Sequence, residues 1–92
     1  MAVDADLLAR AYENPAGLRM EEAVRLAESL GWYEVRQRGS HRHFRHPEAH
    51  TISKEFPIPL DFQPKSDGKA KAYQVRQMLK MAEALGKIER RE

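Results

Sequence analysis

Hydrophobic residues recur at helical spacing in three segments of the chain. The clearest is an apolar stripe that predicts a helix at about residues 20–30, ended by Gly31: Met20, Ala23, Val24, Ala27 and Leu30. A second stripe predicts a helix over about 71–85: Val75, Met78, Leu79, Ala82 and Leu85. Near the N-terminus, Asp4 or Asp6 can cap a short helix that the ENPAG segment at 13–17 ends.

Between the two longer helices the pattern changes to the alternation typical of β-strands. Residues 32–38 and 40–46 predict a hairpin with Gly39 in its turn, and residues 60–63 predict a third strand. The prolines within 48–59 predict a long, poorly paired connection. The expected order is α-β-β-β-α plus a short N-terminal helix. The simplest way to pack these elements is an α+β fold in which two helices cover one face of a three-stranded antiparallel sheet.

Alternation also assigns side chains to the two faces of the predicted sheet. Phe44 has to face the helices, which sends its neighbours on the strand to the other side. A hairpin loop at Arg38 and Gly39 predicts that Arg36 lies opposite His41. The face left uncovered by the helices is then expected to carry Arg36, Arg38, His41, His43 and Arg45.

The same alternation makes predictions about the remaining hairpin residues. It places Tyr33 and Val35 on the helix-facing side of the sheet. It also places Arg42 there, so that its guanidinium has to extend to the sheet edge to reach water. Among the aromatic residues of the hairpin, only Trp32 is expected at the surface.

Composition and charge narrow the classes of function. The chain has 92 residues, which is one small domain, and no cysteine, which excludes disulfides, a thiolate nucleophile and sulfur ligands to a metal. No apolar run reaches membrane-spanning length and no secretory signal pattern is present, so we expect a cytoplasmic protein with no membrane partner. Residues 1–30 carry three basic and six acidic side chains, whereas four arginines and no acid lie between Val35 and His46. Such a basic cluster favours a polyanion or an acidic protein as partner.

All four histidines lie in the segment RGSHRHFRHPEAH at 38–50. An imidazole beside arginines can take the proton of a ribose 2′-hydroxyl, an internal nucleophile next to phosphorus, while guanidinium groups hold the phosphate. This chemistry needs neither metal nor cofactor. The alternative is a zinc site on His41 and His43 with a third nitrogen from His46 or His50, although the arginines would repel a dication. His46 and His50 are expected to be exposed around the turn that follows the second strand.

The segment GWYEVRQRGSHRHFRHP at 31–47 resembles the HicA toxins, small mRNA interferases of bacterial and archaeal toxin–antitoxin pairs. The shared pattern is a Gly-aromatic start, an Arg-Gln-basic-Gly-Ser-His run and an aromatic residue three positions after the histidine. GKAKAYQVRQML at 68–79 is similar to the opening of the last helix in a longer HicA-like subgroup. Together the resemblance spans roughly 14–85.

The resemblance implies a fold like that of double-stranded-RNA-binding domains, metal-independent cleavage of mRNA without a cofactor, and neutralisation by a HicB-type antitoxin. The histidine after Gly-Ser is catalytic in the family, which corresponds to His41. His43 is a candidate for an auxiliary role as an acid or a phosphate donor. The predicted RNA-binding residues are Arg36, Arg38, Gly39, Ser40, Arg45, Lys69 and Lys71, with no residue assigned to a metal.

One HicA-like domain is expected over 1–92, with the extra helix at 4–13, the core at 18–86 and a tail at 87–92. Two other classes of function stay open. One is a non-catalytic RNA-binding module that recognises A-form shape through the same basic face. The other is a degenerate toxin that survives as an interaction domain for its antitoxin.

Overall fold

The computed structural model describes residues 3–91 and confirms the predicted α+β order. Its helices and strands are α1 (Ala5–Glu13), α2 (Met20–Ser29), β1 (Tyr33–Arg38), β2 (His41–Arg45), β3 (Asp61–Phe62) and α3 (Ala72–Ala84). The strands form one antiparallel sheet in the order β1-β2-β3. Short 3-10 turns occur at Pro15–Gly17 and Ala49–Ile52. No helix within 3–91 is long and apolar enough to cross a bilayer.

The additional N-terminal helix packs against the rest of the protein. Asp4 caps α1, since its side chain accepts a hydrogen bond from the backbone N–H of Leu7 at 3.1 Å. Leu7 and Ala11 are buried in the same core as the residues of α2 and α3. The Tyr12 hydroxyl donates to a carboxylate oxygen of Glu83 in α3. Helix α1 is therefore part of the hydrophobic core.

Helices α2 and α3 cover one face of the sheet. Phe44 and Phe62 project from β2 and β3 into the core cluster and are fully buried, with ring centroids 5.6 Å apart in a T-shaped arrangement. The predicted stop after α2 is present, because Gly31 has φ +106°, a conformation that side chains with a Cβ rarely adopt. The opposite face of the sheet holds the polar side chains of His41 and His43 from β2.

The hairpin register differs from the predicted one. The loop consists of Gly39 and Ser40, so Arg38 rather than Arg36 pairs with His41. Arg36 pairs with His43 instead. The predicted loop at Arg38 and Gly39 is therefore wrong.

An irregularity in β1 reverses the predicted orientation of its first residues. The register shifts between Glu34 and Arg36, where Val35 is left without a partner on β2. Upstream of this bulge the alternation changes phase, so Tyr33 and Val35 are 49% and 45% exposed. Both were predicted to face the core, and that prediction is wrong. Trp32, predicted at the surface, is buried instead.

His46 is also buried, contrary to the prediction that it lies exposed after the second strand. Its Nε2–H donates to the carbonyl of Leu30 at 3.0 Å, and its Nδ1 accepts from the backbone N–H of Glu48 at 3.1 Å. The ring packs edge-on against Trp32, with centroids 4.9 Å apart. His46 is therefore a satisfied core histidine, whereas His50 is exposed as predicted.

Candidate active site

The uncovered face of the sheet brings the predicted histidines and arginines together. His41 and His43 lie on the central strand β2, on the side opposite Phe44. Arg38 pairs with His41 and Arg36 with His43. Side chains directly opposite each other in an antiparallel pair have Cβ atoms about 4.5–5.5 Å apart, so each of the two histidines has an arginine as its cross-strand neighbour.

Asp61 of β3 completes the cluster and is a residue that the sequence interpretation missed. Its carboxylate Oδ2 lies 3.1 Å from Nδ1 of His41, and its Oδ1 lies 3.7 Å from Nδ1 of His43. Oδ1 is buried and has no hydrogen-bond partner within residues 3–91. A signal for Asp61 existed in the sequence, because a strand that buries Leu60 and Phe62 has to turn the residue between them to the uncovered face.

The carboxylate determines how the His41 ring is presented. An ionised carboxylate only accepts hydrogen bonds, so Nδ1 of His41 donates to it, and in the neutral imidazole this leaves the lone pair on Nε2. The His41 and His43 rings lie nearly parallel, 14° apart with centroids separated by 6.2 Å. Since both Nδ1 atoms face Asp61, both Nε2 atoms point away from it. The His41 side chain is 45% exposed, which leaves its Nε2 side accessible to a ligand.

The four arginines of the cluster lie in two different environments. Arg36, Arg38 and Arg45 are exposed and form no ion pair with any residue in 3–91. Arg42 lies on the other side of the sheet, as predicted, and its guanidinium reaches the edge strand β1, where it pairs with Glu34. This bidentate pair holds the pKa of Glu34 below its usual value and raises the pKa of Arg42. Only the exposed three are therefore available to bind phosphate.

The remaining predicted RNA contacts lie in the hairpin loop and in the segment before α3. Gly39 and Ser40 form the exposed loop that precedes His41. Lys71 directly precedes α3, and its ammonium donates to the side-chain oxygen of Gln63 at 2.8 Å, just beyond β3. Lys69 lies two residues earlier, in the loop that leads to α3.

A shallow depression adjoins His43 on the same side of the molecule. Its wall combines the exposed Tyr33 and Val35 with the cations Arg36 and Arg45. Tyr33 pairs directly with Arg45 in the hairpin, so an aromatic and a cationic residue are cross-strand neighbours at this end of the uncovered face. This combination suits a nucleotide, whose base can stack while its phosphate is held.

The zinc alternative has little support in the described part of the chain. Across residues 3–91 no group of three or more histidine or carboxylate side chains is arranged to hold a metal ion. His46, one of the two candidates for the third ligand, has both ring nitrogens engaged in the core.

Comparison with known proteins adds one finding. A family model described as the HicA toxin of bacterial toxin–antitoxin systems matches residues 20–84, more than two thirds of the 92-residue chain. The matched segment begins at the first residue of α2, ends at the last residue of α3 and includes the whole uncovered face. No curated protein sequence and no solved structure matches the chain significantly.

Proposed function

The chain belongs to the HicA family of toxins from toxin–antitoxin systems, and on this premise we propose that it is an endoribonuclease that cleaves mRNA with His41 as its general base. The observation that carries the proposal is the contact of 3.1 Å between Asp61 Oδ2 and His41 Nδ1, on the face that the helices leave open. It supports the proposal because a proton acceptor has to be oriented, accessible and placed beside cations.

The proposed reaction uses the RNA's own nucleophile. Nε2 of His41 takes the proton of a ribose 2′-hydroxyl while the 2′ oxygen attacks the adjacent phosphorus. The bond from phosphorus to the 5′ oxygen breaks and that oxygen gains a proton from a neighbouring acid or from water, which leaves a 2′,3′-cyclic phosphate and a 5′-hydroxyl. The Asp61 carboxylate stabilises the imidazolium that forms on His41. The step requires no metal or cofactor.

Exposed arginines hold the substrate in this scheme. Arg38 and Arg36 flank the two histidines, and a guanidinium matches two phosphate oxygens at once. Their charge also stabilises the negative charge that increases on the phosphate in the transition state. Arg45 extends the basic surface along β2. Gly39 and Ser40 bind the backbone from the hairpin loop, with Lys69 and Lys71 as outer contacts.

We further propose a HicB-type antitoxin as the protein partner and the cytoplasm, where mRNA is translated, as the location. The uncovered face offers exposed arginines to an acidic segment, so a partner bound there would compete directly with RNA.

The test compares His41→Ala with His50→Ala on a defined RNA in the presence of a chelator. His50 is exposed and lies in the 3-10 turn, outside the sheet. We expect fragments ending in a 2′,3′-cyclic phosphate from the wild-type and His50→Ala proteins. His41→Ala should give none while it retains RNA affinity. If His41→Ala cuts RNA at the wild-type rate, the proposal is wrong.

The same assay separates the two other classes of function. A non-catalytic RNA-binding module gives a salt-sensitive complex and no fragments. A degenerate toxin neither cuts RNA nor slows growth when the wild-type chain is induced. Either result would contradict the proposal.

A further inference from the structure

If His41 acts alone, the His43 ring and the second carboxylate oxygen of Asp61 have no role in the reaction. The His43 ring lies nearly parallel to that of His41, at a centroid distance of 6.2 Å. The second carboxylate oxygen of Asp61 is buried, lacks a hydrogen-bond partner within 3–91 and lies 3.7 Å from Nδ1 of His43. One carboxylate thus faces two imidazoles, one with each oxygen.

We propose that Asp61 is a positioning residue shared by two histidines, and that His43 is the general acid that protonates the departing 5′ oxygen. This inference rests on the proposed ribonuclease function and adds a second catalytic residue to it.

The spacing of the rings suits one phosphodiester group. Both Nε2 atoms emerge on the side away from Asp61, from nearly parallel rings whose centroids are 6.2 Å apart. Each imidazole has to come within about 2.6–3.2 Å of its own oxygen, and the O2′ and O5′ atoms on the two sides of one phosphorus lie close together. A phosphate lying across the two rings can therefore present its 2′ oxygen to His41 and its 5′ oxygen to His43.

The protonation states before and after the step explain why one carboxylate is sufficient for both histidines. Before the reaction His41 is neutral, His43 carries the extra proton and Asp61 is ionised. The 2′-hydroxyl proton moves to Nε2 of His41, the bond from O2′ to phosphorus forms, the bond from phosphorus to O5′ breaks, and the proton on Nε2 of His43 moves to O5′. His41 is then charged and His43 neutral, so the three side chains have zero total charge before and after the step.

His43 is placed differently from the other histidines outside the family motif. Its side chain is 31% exposed, and in the sheet it lies between Arg36 on β1 and Asp61 on β3. It therefore has a cation for the phosphate on one side and an anion for its own proton on the other. Both ring nitrogens of His46 already form hydrogen bonds in the core, and His50 lies outside the sheet.

The decisive experiment varies the leaving group. On ordinary RNA, His43→Ala is expected to lower kcat by about 10²–10⁴-fold, the usual contribution of general acid catalysis. On RNA whose scissile 5′ oxygen is replaced by sulfur, a thiolate leaves without a proton, so His43→Ala should cut at nearly the wild-type rate. His41→Ala should stay inactive on both substrates, and His50→Ala should match the wild type on both.

The role of Asp61 is tested with Asp61→Asn, which keeps the shape of the side chain. We expect kcat to fall with little change in KM, and the ¹⁵N resonances of both His41 and His43 to shift as the rings lose their fixed tautomer. Unchanged resonances would contradict the shared contact. Thermal unfolding and RNA affinity of each variant show that the fold and the binding surface are retained.

The outcomes distinguish this inference from the proposed function. Wild-type cleavage by His41→Ala contradicts the ribonuclease mechanism as a whole. If His41→Ala is inactive and His43→Ala is fully active on ordinary RNA, only the role of His43 as an acid is wrong. The same conclusion follows if His43→Ala is impaired on ordinary RNA and the sulfur substrate does not restore its rate.

Discussion

Glu34 and Arg42 form a bidentate ion pair on the side of the sheet opposite His41. Nε and Nη2 of Arg42 donate to the two carboxylate oxygens at 2.9 and 2.7 Å. The guanidinium also lies 6.0 Å from the centre of the Phe44 ring. One of the four clustered arginines is therefore a structural residue, and strand alternation already separates it from the other three.

We expect Glu34→Gln to lower the free energy of unfolding by about 1–2 kcal/mol, because a partly buried, charge-assisted hydrogen bond is removed. Arg42 holds the pKa of Glu34 below its ordinary value of 4.5. The pair therefore stabilises the fold fully above the unfolded-state pKa, and this contribution disappears as the pH falls through the lower folded-state value. Chemical denaturation between pH 3 and pH 7 measures both effects. The variant should lose less stability than the wild type on acidification.

Glu55→Gln is the matched control, since Glu55 is exposed and forms no ion pair within residues 3–91. Equal stabilities of the two variants at pH 7 would show that the Glu34–Arg42 pair contributes nothing to the fold.

The helical spacing of the apolar residues predicted α2 and α3 well, whereas the alternation expected of a strand failed at one position in β1. The predicted helix at about 20–30 is Met20–Ser29, and the one at about 71–85 is Ala72–Ala84. The bulge at Val35 was not predictable, because an extra residue in one strand is visible only in its pairing with the other. That single insertion inverted the predictions for Tyr33 and Val35.

The uncovered face and its histidines were predictable, but their relationship to Asp61 was not. Alternation alone separates Phe44 from His41 and His43. Asp61 is 20 positions away from His41 along the chain and reaches it only because β3 pairs with β2. Strand order is a property of the assembled sheet, so the carboxylate that orients the histidines required the structure.

Replacing exposed arginines should weaken RNA binding without affecting stability. Each of Arg36→Ala, Arg38→Ala and Arg45→Ala removes a cation that neutralises a phosphate. For single-stranded RNA, the slope of log K against log salt concentration should fall by about 0.7 for each phosphate that is no longer neutralised. Fluorescence anisotropy at several salt concentrations measures this slope, with His41→Ala as the background so that the RNA stays intact.

Lys71→Ala serves as an internal comparison for these arginines. Its ammonium already donates to Gln63, so we expect a smaller change in the salt slope than for Arg38→Ala. A larger effect at Lys71 than at Arg38 would mean that RNA runs along the start of α3 rather than across the histidines.

Tyr33 is predicted to stack a base of the bound RNA. It is exposed, and it faces Arg45 beside the depression next to His43. Stacking on an aromatic side chain contributes about 1–3 kcal/mol per base, so Tyr33→Ala should raise the Kd for RNA by roughly 5- to 150-fold. Tyr73 on α3 is similarly exposed and lies outside the sheet, which makes Tyr73→Ala the matched control. If both variants weaken binding equally, Tyr33 does not stack on a base.

Gly31 follows α2 and lies against the buried His46, so this position should not tolerate a residue with a side chain. It has φ +106°, and a Cβ at this position would lie 2.5 Å from Nε2 of His46. Gly31→Ala should therefore cost about 1–2 kcal/mol in backbone strain at position 31. It should also displace the His46 imidazole and break its hydrogen bond to the Leu30 carbonyl. Gly86 also has positive φ, +75°, but a Cβ there meets nothing within 4 Å.

The difference between Gly31→Ala and Gly86→Ala therefore isolates the clash with His46. We expect Gly86→Ala to be destabilised only by backbone strain, and Gly31→Ala to fall by at least about 1 kcal/mol more in the free energy of unfolding, measured by urea denaturation at pH 7. In Gly31→Ala the near-ultraviolet circular dichroism of Trp32 should change as well, since its ring packs against His46. Equal destabilisation of the two glycine variants would mean that the imidazole moves aside at no cost and that its two hydrogen bonds do not hold it in place.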